Sequence, residues 1–322
     1  MCGAFFSRNS IVTTEPKLSN LLDLHHRFPT EQSCFDYIEE KRWGRKPQCP
    51  RCTSEKAAKF TTGKYAGKLW YCNGCKKQFT VKIGTVFEDS AIPLLKWFHA
   101  IWICTAHKKG IASTQLAKDI GVTQKTAWHM LGRIRLMMSH GSMEKTLSGT
   151  IEVDETYVGG KESNKHKDKK TPNTQGRSTK TKTAVFGMKE RGGDVICYPV
   201  DSVNKETLQG GINERVVQGS TVNTDEWASY IGLSDNYTHE TVDHGAKEYT
   251  RGFAHTNNIE DFWSLLKRGI IGVYHSVSPV HLHRYCGEFA YRSNTRSVTD
   301  AERFGMVMGQ ANGKLTYKEL TG

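Results

Sequence analysis

The sequence predicts a multidomain protein in which small modules precede an α/β domain with a mixed sheet flanked by helices. A chain of 322 residues can bury more than one core. Two CxxC pairs interrupt the first quarter of the chain, and from Thr150 onward helical periodicity gives way to strands that later alternate with helices. The predicted units are an N-terminal helical segment at 1–45, a cysteine ribbon at 46–86, a helical segment at 90–140 and the α/β domain at 147–310.

The charge balance favours a polyanionic partner. The chain has 45 Lys and Arg against 33 Asp and Glu, a net charge of +12, which points to nucleic acid before membrane. The most apolar stretch, AIPLLKWFHAIWIC, is interrupted by Lys96 and His99 and is typical of a buried helix. The N-terminus lacks the pattern of a signal peptide. We therefore expect a cytoplasmic protein that makes no membrane contact.

Four cysteines form two knuckles, Cys49-Pro-Arg-Cys52 and Cys72-Asn-Gly-Cys75, separated by nineteen residues. Each knuckle supplies two thiolates from one tight turn, and four thiolates complete the tetrahedron that Zn²⁺ prefers. A disulfide pair is the alternative, which a cytoplasmic setting disfavours. We expect a structural zinc ion, because four thiolates leave no open position for catalysis.

The segment STQLAKDIGVTQKTAWHMLGRIR has the layout of a helix-turn-helix. A first helix, residues 114–120, ends at Gly121, and Thr123 can cap a second helix. The residues offered to a major groove would be Gln124, Lys125, Thr126 and His129. A plain helical hairpin explains the same pattern, so both interpretations stay open.

Residues 161–183, KESNKHKDKKTPNTQGRSTKTKT, form a basic insertion within the predicted α/β domain. The insertion holds eight basic and two acidic residues and has almost no apolar ones. Such composition predicts a mobile loop. A solvated hairpin and a contact with phosphates are both compatible with it.

Acidic residues are rare in strands unless they are used, and two occur at informative places. Asp154 lies within the strand-like run IEVDETYVGG, and Asp225 ends the strand in STVNTDEW. The ends of strands in a mixed α/β sheet open onto its cleft. Singly, Asp154 could be a polar residue at a strand edge and Asp225 a helix N-cap.

The segment HTNNIEDFWSLLKRG predicts an amphipathic helix. Its apolar stripe contains Ile259, Phe262, Trp263, Leu266 and Ile270. Glu260 and Lys267 lie beside the stripe, whereas Asp261 points toward water. Glu260 could join Asp154 and Asp225 around a pair of Mg²⁺ or Mn²⁺ ions, for which carboxylates are suitable ligands.

The segments VDETYVGGK, TDEWASY and HTNNIEDFWSLLKRGIIGVYHSVSPVHLHRYCGEFAYRSNTR resemble the DDE-type catalytic domain of bacterial insertion-sequence transposases with an N-terminal zinc ribbon. CPRC and CNGCKKQFTVKIGTVFEDS are similar to the ribbon of that group. The resemblance implies an RNase H-like fold, a triad of Asp154, Asp225 and Glu260, and Lys267 as the basic residue seven positions after the glutamate. Related members have asparagine in the third acidic place, so Asn257 or Asn258 is the alternative to Glu260, which helix geometry prefers.

The resemblance implies a transposase that binds double-stranded DNA at terminal inverted repeats and at a target. Water would attack the phosphodiester at an element end, and the freed 3′-OH would then attack the target. The protein would act as a homo-oligomer on the DNA. The alternative is a non-enzymatic zinc-ribbon regulator whose RNase H-like domain is inert. The presence of all three acids together with Lys267 argues against that alternative.

Overall fold

The computed structural model describes residues 18–44, 46–143, 145–160, 166–172, 180–242 and 255–321. Much of the predicted basic insertion, residues 161–165 and 173–179, lies outside them. The helices are α1 (Leu21–Arg27), α2 (Glu31–Trp43), α3 (Leu94–Ala106), α4 (Ser113–Ile120), α5 (Gln124–Met143), α6 (Lys205–Arg215), α7 (Asn257–Gly269), α8 (Leu282–Asn294), α9 (Asp300–Gly309) and α10 (Tyr317–Thr321). The strands are β1 (Ala57–Lys59), β2 (Trp70–Cys72), β3 (Gln78–Phe79), β4 (Thr150–Val158), β5 (Thr183–Glu190), β6 (Val195–Val200), β7 (Thr221–Asp225) and β8 (Thr238–Val242).

The N-terminal ribbon is an antiparallel sheet of β1, β2 and β3 that is anchored to α2. Glu39 of α2 accepts hydrogen bonds from the Trp70 indole nitrogen and the Lys59 ammonium, both at 2.8 Å. Arg42, one turn further along α2, donates to the carbonyl oxygens of Val81 and Ile83 at 2.6 and 2.9 Å. Helix α2 and the ribbon therefore form one unit, although the ribbon itself has only short strands.

Helices α4 and α5 form the predicted helix-turn-helix arrangement. Gly121 ends α4 in the left-handed conformation, with φ 61° and ψ 57°, which favours glycine. The Thr123 hydroxyl accepts from the backbone nitrogen of Thr126 at 3.2 Å, as an N-cap should. Leu116 and Leu131 are buried against α3 in the largest core of the protein. The three-residue turn thus depends on Gly121 and on the Thr123 cap, and the sequence predicts both.

The α/β domain contains a five-stranded mixed sheet in the order β6-β5-β4-β7-β8. Strands β4, β5 and β6 form an antiparallel meander, and β7 and β8 are parallel to β4. Alternation along β4 sends Ile151 and Val153 into the core beneath α6, whereas Glu152 and Asp154 face α7. Helices α7 and α8 cover that second face. The predicted mixed sheet flanked by helices is confirmed.

A buried ionic cluster joins α5 to α8. The Glu288 carboxylate accepts from Arg135 of α5 at 2.7 Å, from Arg292 at 2.6 Å and from the Tyr274 hydroxyl at 2.7 Å. Burial would raise the pKa of Glu288, but the two guanidinium groups outweigh it and lower the pKa to about 2. The cluster therefore fixes the helix-turn-helix segment against the α/β domain.

We expect Glu288→Gln to destabilise the protein by about 3 kcal/mol or more, because it leaves two arginines buried without their counter-charge. The loss should shrink as the pH falls from about 4.5 toward 2, since the carboxylate of the unfolded wild type binds a proton below about pH 4.5 and that of the folded protein only near pH 2. Thermal unfolding of the wild type and of Glu288→Gln across this pH range measures the difference in stability. Exposed Glu206 of α6 is the control, and Glu206→Gln should change stability by no more than about 0.5 kcal/mol. Equal melting temperatures for the two variants would contradict the assignment.

Candidate functional site

Asp154 and Asp225 lie side by side on neighbouring parallel strands. The pairing of β4 with β7 ends at Glu152 opposite Asn223, and each aspartate is two residues further along its strand. Adjacent strands are about 4.8 Å apart, so both aspartates occupy the same level of the sheet. Asp225 is the last residue of β7, at the carboxyl end that opens onto a cleft.

Helix α7 is tied to Asp154 by a tryptophan that the sequence pattern assigned only to the core. The Trp263 indole nitrogen donates to Oδ2 of Asp154 at 2.9 Å. Gly187 lies directly opposite Asp154 on β5, and a Cβ there would come within 2.4 Å of the Trp263 ring. The glycine therefore leaves the space that the indole needs to reach the aspartate. A glycine inside a strand was the sequence signal for this close approach.

The three predicted acids share one electrostatic neighbourhood. The pKa of Asp154 is raised to about 6, chiefly by burial and also by the charges of Asp225 and Glu260, while the Trp263 hydrogen bond opposes the rise. Among the described residues, only the four ribbon cysteines form a group of three or more potential ligands whose atoms all lie within 4.8 Å. The carboxylates thus converge on one region but stand further apart than the cysteines.

Asp225 also takes part in a local turn, but it is not a helix N-cap, because Trp227 occupies that position before the 3₁₀ helix that follows. Its Oδ1 accepts from the backbone nitrogen of Trp227 at 3.1 Å, just before a short 3₁₀ helix at 228–230. Tyr230 in that turn is buried and donates its hydroxyl to Glu155, a fourth acid that the sequence did not single out. Burial first, and the Glu155 charge second, raise the pKa of Tyr230. The turn therefore adds a neutral donor beside the acids.

Glu260 and Lys267 project from the flank of α7 that faces Asp154. Glu260 is exposed, and its Oε1 accepts from the Thr256 hydroxyl at 3.3 Å. The pKa of Lys267 is lowered chiefly by partial burial, while the Asp154 charge acts in the opposite direction. Lys267 is accordingly close enough to Asp154 for their charges to interact. Asp261 lies on the other flank of the helix and lines a separate cleft.

Glu152 is the residue of this region that sequence reasoning did not select. Its side chain is fully buried, and its Oε2 accepts from the backbone nitrogens of Asn258 and Ile259 at 2.8 and 3.1 Å. Its Oε1 accepts from Arg191 at 2.8 Å and from the Asn258 side-chain amide at 2.7 Å. A carboxylate at a helix N-terminus satisfies free N–H groups and complements the helix dipole. Glu152 therefore fixes where α7 begins, and with it the position of Glu260.

The contact with Glu152 also gives a structural role to one of the two asparagines considered in place of Glu260. Asn258 is half-buried and directs its amide group to Glu152. Asn257 is the first residue of α7 and is exposed. The amide of Asn258 is thus occupied by a contact that holds the helix.

The ribbon cysteines have the geometry of a tetrahedral metal site. Cys49 and Cys75 have sulfur atoms 3.7 Å apart, and those of Cys52 and Cys72 are 3.6 Å apart. A tetrahedron with zinc–sulfur bonds of 2.3 Å has edges of about 3.8 Å. The Cys75 backbone nitrogen donates to the Cys72 sulfur at 3.4 Å and is the main cause that lowers the Cys72 pKa, to about 6. The donor set therefore suits a structural zinc ion.

The side chains predicted to enter a major groove are partly engaged within the protein. Tyr317 of α10 places its ring 5.2 Å from the Lys125 ammonium and 6.1 Å from the His129 ring. Gln124 donates to the Ser113 hydroxyl at 2.8 Å. Helix α10 is held there by Leu320, which occupies the notch left by Gly132 on α5. The N-terminal turns of α5 thus carry a cover that the helical pattern did not predict.

None of the helices in the described ranges has the length and apolar character needed to cross a membrane.

Two family models match the chain. Residues 29–78 match a transposase zinc-ribbon domain, and residues 146–294 match an ISXO2-like transposase domain. The first match includes α2, which packs on the ribbon, and the second extends from just before β4 through α8.

A full-length relative supports the same family. The chain is 30% identical over 275 residues to an uncharacterized protein in transposable element ISH50 of Halobacterium salinarum. That alignment covers 82% of this chain and 91% of the relative. The relative is archaeal, so the expected family is not limited to bacterial elements.

Among solved structures, a pre-cleavage Mos1 transpososome matches with 13% identity and a TM-score of 0.18, covering 64% of this chain and 75% of the other. A TM-score of that size does not establish a shared fold. Together, the family matches and the relative cover both the ribbon and the α/β domain. They show that this chain belongs to the ISXO2-like transposase family and is a transposase with an N-terminal zinc ribbon.

Proposed function

We propose that this transposase is a DDE-type enzyme in which Asp154, Asp225 and Glu260 hold two divalent cations, Mg²⁺ or Mn²⁺. The observation that carries the proposal is the position of the two aspartates, each two residues beyond the last paired residue of neighbouring parallel strands, beside the helix that bears Glu260. The raised pKa of Asp154 supports it, because clustered carboxylates gain stability when cations neutralise them. Oxygen donors are also the ligands that these hard ions prefer.

The proposed reaction is hydrolysis of a phosphodiester at each element end, followed by attack of the freed 3′-OH on target DNA. The cations, when bound, would stabilise negative charge on the attacking and leaving oxygens. Trp263 would orient Asp154 through its indole hydrogen bond. Lys267, whose charge interacts with that of Asp154, would contact the scissile phosphate.

Recognition of DNA is proposed for the N-terminal modules. The chain carries a net charge of +12, and α5 begins with exposed polar residues at the turn of a helix-turn-helix. We propose that the ribbon and α5 bind the terminal inverted repeats as duplex DNA, that the basic insertion touches phosphates, and that the protein assembles as a homo-oligomer on its DNA.

Glu260→Gln should lower DNA cleavage by roughly 10²-fold or more, because it removes a charge that holds the cations but keeps the side chain's size. Binding to element ends should persist. The assay follows cleavage of a labelled duplex that carries an element end, with Mg²⁺ present, and a gel-shift assay measures binding in parallel.

Asp261→Asn is the matched control, since it neutralises the neighbouring acid on the other flank of α7. It should leave cleavage nearly unchanged. Asn257→Ala tests the exposed alternative ligand in the same assay. If Glu260→Gln retains cleavage while Asn257→Ala or Asp261→Asn abolishes it, the third ligand is misassigned. If all three variants cleave normally, α7 does not belong to the catalytic site.

Asp154→Asn should abolish cleavage yet stabilise the metal-free protein at neutral pH. The pKa of Asp154 is higher in the folded protein than in the unfolded chain, so proton binding stabilises the fold. This stabilisation is complete below about pH 4 and is lost as the pH rises through about 6. One pKa unit corresponds to about 1.4 kcal/mol, so a gain on the order of 1–3 kcal/mol is expected at pH 8.

Thermal melting at pH 4 and pH 8 with a chelator tests this sign, and Asp235→Asn, at an exposed position, is the control. Added Mg²⁺ should raise the melting temperature of the wild type and leave that of Asp154→Asn unchanged. A variant that melts lower than the wild type at pH 8 without metal would contradict the electrostatic account.

Cys72→Ser should release the zinc ion and unfold the ribbon, because the metal–thiolate bonds stabilise a module with very short strands. Metal analysis should find about one zinc per wild-type chain and none in the variant. The α/β domain should keep its protection from hydrogen exchange. Cys104→Ser, which changes a thiol buried in α3, should retain the metal. Wild-type protein that contains no zinc would refute the assignment.

A further inference from the structure

A second cleft of about 630 Å³ lies on the flank of α7 opposite Glu260 and Lys267. Elements α3, β5, α7, α8 and α9 all contribute to its walls. Five basic side chains line it, namely Lys108, Lys189, Arg292, Arg296 and Arg303. We call this feature the cationic cleft.

Two of the five cations are already neutralised by carboxylates. Arg292 binds Glu288 at 2.6 Å, and Arg303 forms an ion pair with Asp300. Arg303 also donates to the carbonyl oxygens of residues 295 and 298 at 2.8 and 3.0 Å. These two arginines therefore have structural roles and form a fixed floor for the cleft.

The other three cations have no ion pair with any residue in the described part of the chain. Lys108 and Arg296 are exposed at the mouth of the cleft, and Lys189 is buried at its base with 3% of its surface exposed. The Lys189 ammonium donates to the Gly193 carbonyl oxygen at a long 3.3 Å. Within the described ranges, Asp261 is the only acid lining the cleft outside the Arg303 pair. The lining thus contains three cations without an ion pair and one carboxylate.

The physical state of Lys189 makes an anionic ligand favourable. Burial, and then the like charge of Arg296, lower its pKa, while the charges of Asp194, Glu152 and Glu190 act in the opposite direction. A buried ammonium without an ion pair is costly, and an anion with several acceptor oxygens would reduce that cost. The walls also include Phe262, Leu265 and Val298, which offer apolar surface beside the cations. A phosphate that carries a sugar matches both parts of this lining.

We propose that the cationic cleft binds a phosphodiester group of a DNA strand that crosses α7 between the cleft and the catalytic carboxylates. The inference rests on the proposed function, because it places this contact beside the reacting phosphate. Residues 258, 261, 262 and 265 line the cleft, whereas 260 and 267 lie on the other flank, and a helix is about 10 Å wide. The two sites are therefore separated by roughly one helix diameter, a span that a few nucleotides of one strand can cover. Free phosphate has the same chemistry and is the other source to distinguish.

The test compares the salt dependence of DNA affinity for the wild type, Arg296→Ala and the Lys108→Ala/Arg296→Ala double variant. Each lost phosphate contact should reduce the slope of log K against log salt by about 0.9. We expect reductions of about one and about two, with no change in sequence preference. Lys205→Ala, at the start of α6 on the opposite face of the sheet, is the matched control and should keep the full slope. Equal slopes for Arg296→Ala and Lys205→Ala would overturn the DNA assignment.

Lys189→Met separates binding from structure. It should raise the melting temperature of the free protein, because it replaces a buried charge with an apolar side chain of similar length, and it should also weaken DNA binding. A lower melting temperature with unchanged affinity would mean that Lys189 has only a structural role and would contradict the proposal.

A last arm identifies the source of the phosphate. Inorganic phosphate at millimolar concentration is added to the wild type and to Arg296→Ala, and both melting temperatures are measured. A stabilisation that requires Arg296, with no effect of Arg296→Ala on the DNA slope, would assign the cleft to free phosphate and overturn the DNA contact. Cleavage by Glu260→Gln would contradict the proposed function without bearing on the cleft, since cleavage and the salt slope are independent measurements.

Discussion

The buried carboxylate of Glu152 is the contact on which the geometry of the candidate site depends. It lies in the centre of the sheet and caps the N-terminus of α7 through two backbone nitrogens and the Asn258 amide. Arg191 supplies the counter-charge at 2.8 Å, so the burial of this acid does not leave an unpaired charge. Because Glu152 and Asp154 are two residues apart on one strand face, the same strand that holds the helix also presents the first of the proposed catalytic acids.

A second constraint is that Gly187 has no side chain, which leaves room for the Trp263 ring. The missing side chain lets Trp263 approach the sheet closely enough for its indole nitrogen to reach Asp154. Helix α7 is therefore held at its start by Glu152 and in its middle by the bond from Trp263 to Asp154. Trp263 lies about one turn after Glu260. This placement keeps Asp154 buried and close to two other acids, and burial first, then the charges of Asp225 and Glu260, raise its pKa. The same helix separates the proposed catalytic acids from the cationic cleft, so α7 organises both faces of the proposed DNA path.

The N-terminal modules are joined to this domain by buried polar contacts instead of a flexible tether. Glu288 bonds to Arg135 of α5 and Arg292 of its own helix, and Arg133 of α5 donates to the backbone carbonyl oxygens of Val86 and Leu315. Movement of α5 relative to α8 would have to break the Arg135–Glu288 bond in a low-dielectric interior, which is costly. The proposed recognition module and the proposed catalytic site are consequently connected through one helix, whose first turns are covered on one side by α10.

The sequence by itself determined the local features: the two cysteine knuckles, the turn at Gly121, the strand and helix that carry Asp154 and Glu260, and the family. These follow from short-range spacing and periodicity, which the chain retains whatever its tertiary contacts. Only the tertiary structure decided the roles of Glu152, Trp263 and Gly187, because each depends on a partner far away in the sequence: Glu152 and Asn258 are 106 residues apart, and Trp263 and Asp154 are 109. A helical pattern shows that Trp263 faces inward, but not that its indole nitrogen meets a carboxylate. Likewise, the cations of the cleft come from separate elements, and only their packing determines which of them remain without a counter-charge.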